Sequence, residues 1–125
     1  MGNDRGAAAV EFAFVLPLLL ALVLGVAEFG RAYHAQTVLS AAARDGVRVM
    51  ALQNKPAAAR AVAKSSASPT VELTDADIAV SPTSCTTTTA VPATATVTIT
   101  RELDLLLPTK FTVKLTGKGT MRCNG

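Results

Sequence analysis

The chain has 125 residues, room for one domain of ordinary size, and half of those residues are apolar while only 17% are charged. That balance excludes a disordered polar tail, and a formal net charge of +3 with 4% aromatics and no Trp excludes the basic, ring-interleaved surface of a nucleic-acid module. The apolar excess is concentrated at the N-terminal end. Residues 7–27 carry one charge, Glu11, and residues 13–27 carry no polar side chain at all.

At about 1.5 Å of rise per residue, 21 helical residues are enough to cross a hydrocarbon core about 30 Å thick. Three devices share this pattern. One is a secretory signal cleaved after Ala27, where Gly25-Val26-Ala27 has the small-x-small form. Another is an uncut signal anchor. The third is a prepilin-type segment, cut on its cytoplasmic side, whose helix afterwards packs into a filament. A secretory signal wants a basic stretch running straight into the apolar one. Here Asp4 offsets Arg5 and Glu11 intrudes just before the uninterrupted run. An ionised carboxylate at the centre of a membrane helix costs about 2.5–3.5 kcal/mol on insertion scales, and less toward the interface. Glu11 therefore either marks the interface or has a cationic partner. A cut after Gly6 would leave the α-amine of Ala7 four residues from Glu11, about 6 Å along the axis. A neighbouring helix staggered by one turn would then set its own amine beside this carboxylate.

The succession Gly6-Ala7-Ala8-Ala9-Val10-Glu11-Phe12, followed by an apolar helix, resembles the processing signal of Tad (Flp-type) pilins and pseudopilins. With Glu28-Phe29-Gly30-Arg31-Ala32-Tyr33-His34-Ala35-Gln36 and Ala42-Ala43-Arg44-Asp45-Gly46-Val47-Arg48 it resembles the TadE-like family of pilus-assembly pseudopilins, over roughly residues 6–50. The resemblance implies a pilin-like fold and a structural role rather than an enzymatic one. It implies cleavage after Gly6 by a prepilin peptidase, with Ala7, Glu11 and Phe12 as the rest of the processing signal. It also implies a set of partners: that peptidase, the major pilin, other pseudopilins and an inner-membrane assembly platform.

Only Pro17 and a few glycines interrupt the helical pattern between Ala7 and Gln53, so the helix is expected to project well beyond the bilayer. In the projecting part Ala32, Ala35, Leu39, Ala42, Gly46 and Val49 recur at steps of three and four. This stripe of small residues admits a close second backbone. The partner is either a neighbouring subunit, which with Glu11 would make Ala35, Leu39, Ala42 and Gly46 subunit-packing residues, or the chain's own sheet. Arg44, Arg48 and His34 are expected on a solvated face. Asn54, Lys55 and Pro56 end the helix, and Pro56 opens a short Ala-rich helix to about Ser66.

Beyond the Ser/Pro linker at residues 65–69 the hydrophobic period changes to two. Residues 94–100 alternate Thr with Ala95, Val97 and Ile99. In residues 111–123, Phe111, Val113, Leu115, Gly117, Gly119, Met121 and Cys123 share one face, and Ile78 and Val80 suggest a weaker third strand. The expected class is α+β: a long N-terminal transmembrane and amphipathic helix followed by a small antiparallel sheet of about three strands. Its parts would be a cytoplasmic leader (1–6), a transmembrane helix (7–27), its amphipathic extension (28–53), a short helix and linker (54–69) and an extracytoplasmic β-rich domain (70–125).

Cys85 and Cys123, 38 residues apart, are too few for a tetrahedral metal site and lack redox Cys-x-x-Cys spacing. They suit a structural disulfide outside the cytoplasm, or else two buried thiols. Counted alone, Arg31, Arg44 and Arg48 against Arg5 would hold the C-terminal part inside. The cysteines point outward, and an N-in, C-out single-pass topology is expected. Glu72, Asp75 and Asp77 lie among turn formers and suit caps. No nucleophile–base–orienter set, phosphate loop or cofactor motif is present, and no cofactor is expected.

Overall fold

The computed structural model describes residues 2–85, 93–105 and 111–123. One helix, α1, runs unbroken over Gly2–Gln53, with Pro17 inside it. It therefore starts upstream of Ala7, although Gly2, Asn3 and Asp4 are weak helix formers. Asn54 stops it. Its φ of 52° places it in the left-handed region, where Asn is tolerated better than most residues, and its N–H still donates to Met50 O at 3.0 Å. Pro56 then opens α2, Pro56–Ala67, which packs antiparallel to the end of α1 along Ala59, Ala63 and Ala67.

A 3-10 turn at Asp75–Asp77 leads into β1 (Ile78–Ser81), followed by β2 (Thr94–Asp104) and β3 (Thr112–Arg122). The three strands form one antiparallel sheet in the order β1-β2-β3. The expected α+β arrangement of a long apolar helix and a three-stranded antiparallel sheet is thus present. β2 is longer than the alternation suggested, and β3 falls one residue short of it at each end. Arg101, Glu102 and Asp104 break the Thr/aliphatic pattern, yet they pair in register with Leu115, Lys114 and Thr112.

The inner face of the sheet carries Ile78, Val80, Ala95, Val97, Ile99 and Leu115, all buried. Two glycines set how closely it approaches α1. A Cβ at Gly119 would lie 2.7 Å from Ala43 O, and one at Gly117 would collide with Leu39 O. Neither glycine has positive φ, so space and not backbone conformation demands glycine there. The sheet lies flush on the helix backbone. On the other side, Gly46 receives α2, with Ala59 O 3.2 Å from its Cβ position.

One core results, built from Leu39, Ala42, Ala43, Val47 and Met50 of α1, the alanines of α2 and the sheet. Ala35, Leu39, Ala42 and Gly46 are all buried in it. The chain's own sheet and second helix therefore fill the small-residue stripe, and these four residues present no surface to a neighbouring subunit. The stripe is also wider than six residues, because α1 carries a partner on each side: Ala43 faces the sheet while Gly46 faces α2. The sheet shares its core with α1 and α2, so the described residues of the head run from about Glu28 to Cys123.

Candidate functional site

The N-terminal half of α1 stands apart from the head's core among the described residues. Residues 4–27 are all exposed, and among them Phe12 (61%), Phe14 (78%) and Leu18 (72%) stand open despite their size. A bare apolar rod of this kind belongs in lipid or against other helices. Within Asp4–Gln53 the helix is long and apolar enough to cross a membrane. Glu11 sits on this surface one turn after Ala7 and, among the described residues, has no hydrogen-bond or ionic partner. Gly6, Ala7, Glu11 and Phe12 are all exposed along the same helix, so the peptide bond after Gly6 lies in continuous helix.

Burial begins abruptly at Glu28, which is only 7% exposed. Its carboxylate accepts from Arg31 Nη2 at 3.1 Å, one helical turn on. The same nitrogen donates to the backbone carbonyl of Asp104 at the end of β2. Gln36 Nε2 donates to Thr116 O at 2.6 Å, from about 140° further round the helix. These side-chain-to-backbone bonds hold the β2–β3 end of the sheet alongside the point where α1 leaves the head. Around that point Phe29 (74%), Tyr33 (69%), Phe111 (67%) and Val113 (38%) remain exposed.

At the opposite end the cysteines form the expected disulfide, Cys85–Cys123, with Cα atoms 5.6 Å apart. The Cys85 N–H donates to Asn54 Oδ1, so the residue that ends α1 also holds the loop after β1, and the disulfide ties that loop to the end of β3. Arg44, Arg48 and His34 are exposed, as expected for a solvated face.

The acidic residues after α2 are structural. Asp77 Oδ2 accepts from the Thr74 N–H at 3.0 Å and the Thr74 hydroxyl at 3.1 Å, and pairs with Arg101 at 3.2 Å. The Thr74 N–H is the main influence holding this carboxyl below its ordinary range, with Arg101 adding to it. Asp75 is lowered chiefly by its hydrogen bond and charge contact with Lys64, at 2.6 Å. A solvent-open groove of about 530 Å³ beside Asp77, Arg101, Glu102 and Lys114 has both signs of charge on its walls and no nucleophile paired with a base. Among the described residues no cluster of three His, Cys, Asp or Glu could hold a metal.

A bare apolar rod carrying one carboxylate near its start is thus rooted in a small disulfide-tied head. Residues 6–48 match the family model described as TadE-like protein, the family whose motifs the N-terminal segment resembles. Neither a curated protein nor a solved structure matches the chain significantly. The family match ends within the buried part of α1 and leaves α2 and the sheet to their own physics. Sequence reasoning placed the helix stop at Asn54 but missed the Glu28–Arg31–Asp104 junction and the bond from the Cys85 N–H to the Asn54 side chain. The available signals were an acid directly after an uncharged run and an Asn-Lys-Pro helix stop.

Proposed function

We propose that the chain is a pseudopilin or minor pilin of a Tad-type pilus assembly system, with a structural and not a catalytic role. The family match over residues 6–48 carries this proposal, supported by the solvent-open apolar helix on which Glu11 lies. The chain inserts with its N-terminus in the cytoplasm and its disulfide-tied head outside, a compartment in which disulfides persist. A prepilin peptidase removes residues 1–6, with Gly6 at the scissile bond and Phe12 contributing to recognition. The new α-amine of Ala7 and the carboxylate of Glu11 then pair between neighbouring helices, one helical turn out of register.

Subunit contacts run along residues 7–27, since the stripe above them is occupied by the head. The partners proposed are the peptidase, the major pilin, other pseudopilins and the inner-membrane platform.

Intact mass and N-terminal sequencing of membrane-extracted protein test the processing step. A chain starting at Ala7 is expected. A start at Met1 or Gly2 would indicate a tethered module with no filament role, and a start at Glu28 a secreted domain. Gly6→Ala should leave the chain uncut. Glu11→Gln should insert and be cut normally but assemble poorly. Normal pili from that variant would remove the carboxylate from the mechanism.

A further inference from the structure

β3 runs in the same direction as α1: Gly117 lies against Leu39 and Gly119 against Ala43. Two strand residues advance about 6.6 Å while four helical residues advance about 6 Å, so strand and helix climb together. Going back down from Gly117, the six residues to Phe111 cover about 20 Å, the rise of about thirteen helical residues. Phe111 therefore stands level with about residue 26 of α1, within the last turn of the apolar segment. Arg31 fixes this placement independently, because it donates to the carbonyl of Asp104, whose partner across the ladder is Thr112. The Leu105 N–H, donating to Phe111 O at 3.3 Å, extends the pairing one step lower.

We infer that the lower end of the β2–β3 ladder, with Phe111 and Val113, is a second membrane contact that rests in the headgroup and upper acyl region beside the transmembrane helix. It takes the membrane-spanning role of residues 7–27 from the proposed function. If those residues span the hydrocarbon, Phe111 cannot be clear of the interface, because the head is fastened to the helix at that height. The side chains at this level suit the site. Phe111 is 67% exposed, and on α1 itself Phe29 and Tyr33 are 74% and 69% exposed. Gln36, seven residues above Phe29, reaches the sheet at Thr116, so Phe29 flanks the sheet and Tyr33 lies about 40° further round the helix. Exposed aromatic residues thus gather within about 10 Å of the same height along the axis, and a lipid interface is where amphipathic aromatic residues collect.

The chain has no Trp, so single-Trp variants report without background. Full-length F111W, L18W and T120W are reconstituted in phosphatidylcholine vesicles brominated either near the carboxyl end or near the methyl end of the acyl chain. F111W is expected to lose emission mainly to the shallow bromines and L18W mainly to the deep ones. T120W, at the far end of β3, should respond to neither and stay open to aqueous iodide. Iodide quenching of F111W equal to that of T120W would overturn the inference, since the head would then stand clear of lipid. So would an F111W protected from both bromine and iodide, which would mean that a second chain covers it. If L18W is also untouched by deep bromines, the membrane-spanning reading itself fails; if only F111W fails, that reading stands.

Discussion

Gly117 is the most demanding position in the head. The atoms its Cβ would strike are the carbonyl of Leu39 and the amide of Ser40, backbone groups held in the helix and unable to rotate aside. At Gly119 the corresponding approach is 2.7 Å to Ala43 O. Restoring an ordinary contact there alone requires a retreat of about 0.7 Å, and Gly117 requires more. A gap of that size forfeits a quarter to a half of the dispersion attraction across it. It would open between Leu39 and Ala43 on the helix and Ile99 and Val97, the cross-strand partners of Gly117 and Gly119, all fully buried.

Gly117→Ala is therefore expected to destabilise the head by about 2–3 kcal/mol, the upper part of the range for overpacking. Gly119→Ala should cost slightly less, and the double variant less than the sum, because one retreat relieves both clashes. Pulse proteolysis of the oxidised full-length chain in detergent, over a urea series, reads the midpoint of head unfolding. With a slope of about 1–3 kcal/mol per molar urea, Gly117→Ala should lower it by about 1 M. Gly46→Ala is the internal comparison. Its Cβ meets Ala59 O at 3.2 Å, and about 1 kcal/mol of helix propensity gained by Ala offsets the crowding. A Gly117→Ala midpoint equal to that of the parent, or a Gly46→Ala that is the more damaging of the two, would refute the flush-packing account.

Replacing both Cys85 and Cys123 by Ser should cost about 3–4 kcal/mol for a 38-residue closure, seen as a lower urea midpoint without altered membrane insertion. Arg31→Ala leaves the shielded Glu28 carboxylate without that charge and frees the Asp104 carbonyl. A loss of about 1–3 kcal/mol is expected, together with faster amide exchange around residues 104–105 and 111–112. Asp75 and Asp77 have folded-state values below their ordinary 3.8, so their contribution is fully present above that pH and lost as pH falls through the lowered values. Head stability should be flat from neutrality to about pH 5 and decline below about pH 4, and Asp77→Asn should shrink that decline in an acid titration followed by circular dichroism.

Much of the fold was legible because its periods are clean. The uncharged run reads as helix and the switch to strict alternation as strands, and both are found; the two cysteines form the disulfide that was one of their two readings. What could not be read was the choice between equally compatible partners. A stripe of Ala35, Leu39, Ala42 and Gly46 invites any close backbone, and its own letters do not say whether that backbone belongs to another chain. The answer lay far along the chain, in the two glycines of β3 at positions where a buried strand face would ordinarily carry Val or Ile. Arg101, Glu102 and Asp104 concealed the lower end of β2 for a related reason: past Ile99 burial is only partial, with Arg101 paired to Asp77, so charged residues enter the pattern while the ladder continues. For the site, the N-terminal motif was visible at once. The junction at Arg31 was not, since it depends on a main-chain carbonyl 73 residues away.

The 52 residues of α1 form about 78 Å of uninterrupted helix, shared between the bare rod and the centre of the head. No joint lies between those two parts, for the only proline within it, Pro17, falls in the rod. Any axial pull on the rod is therefore transmitted undiminished to the head, and any grip on the head becomes a handle on the lipid-embedded end. Rod and head must rise, turn or stall together, like a piston cast in one piece with its crown.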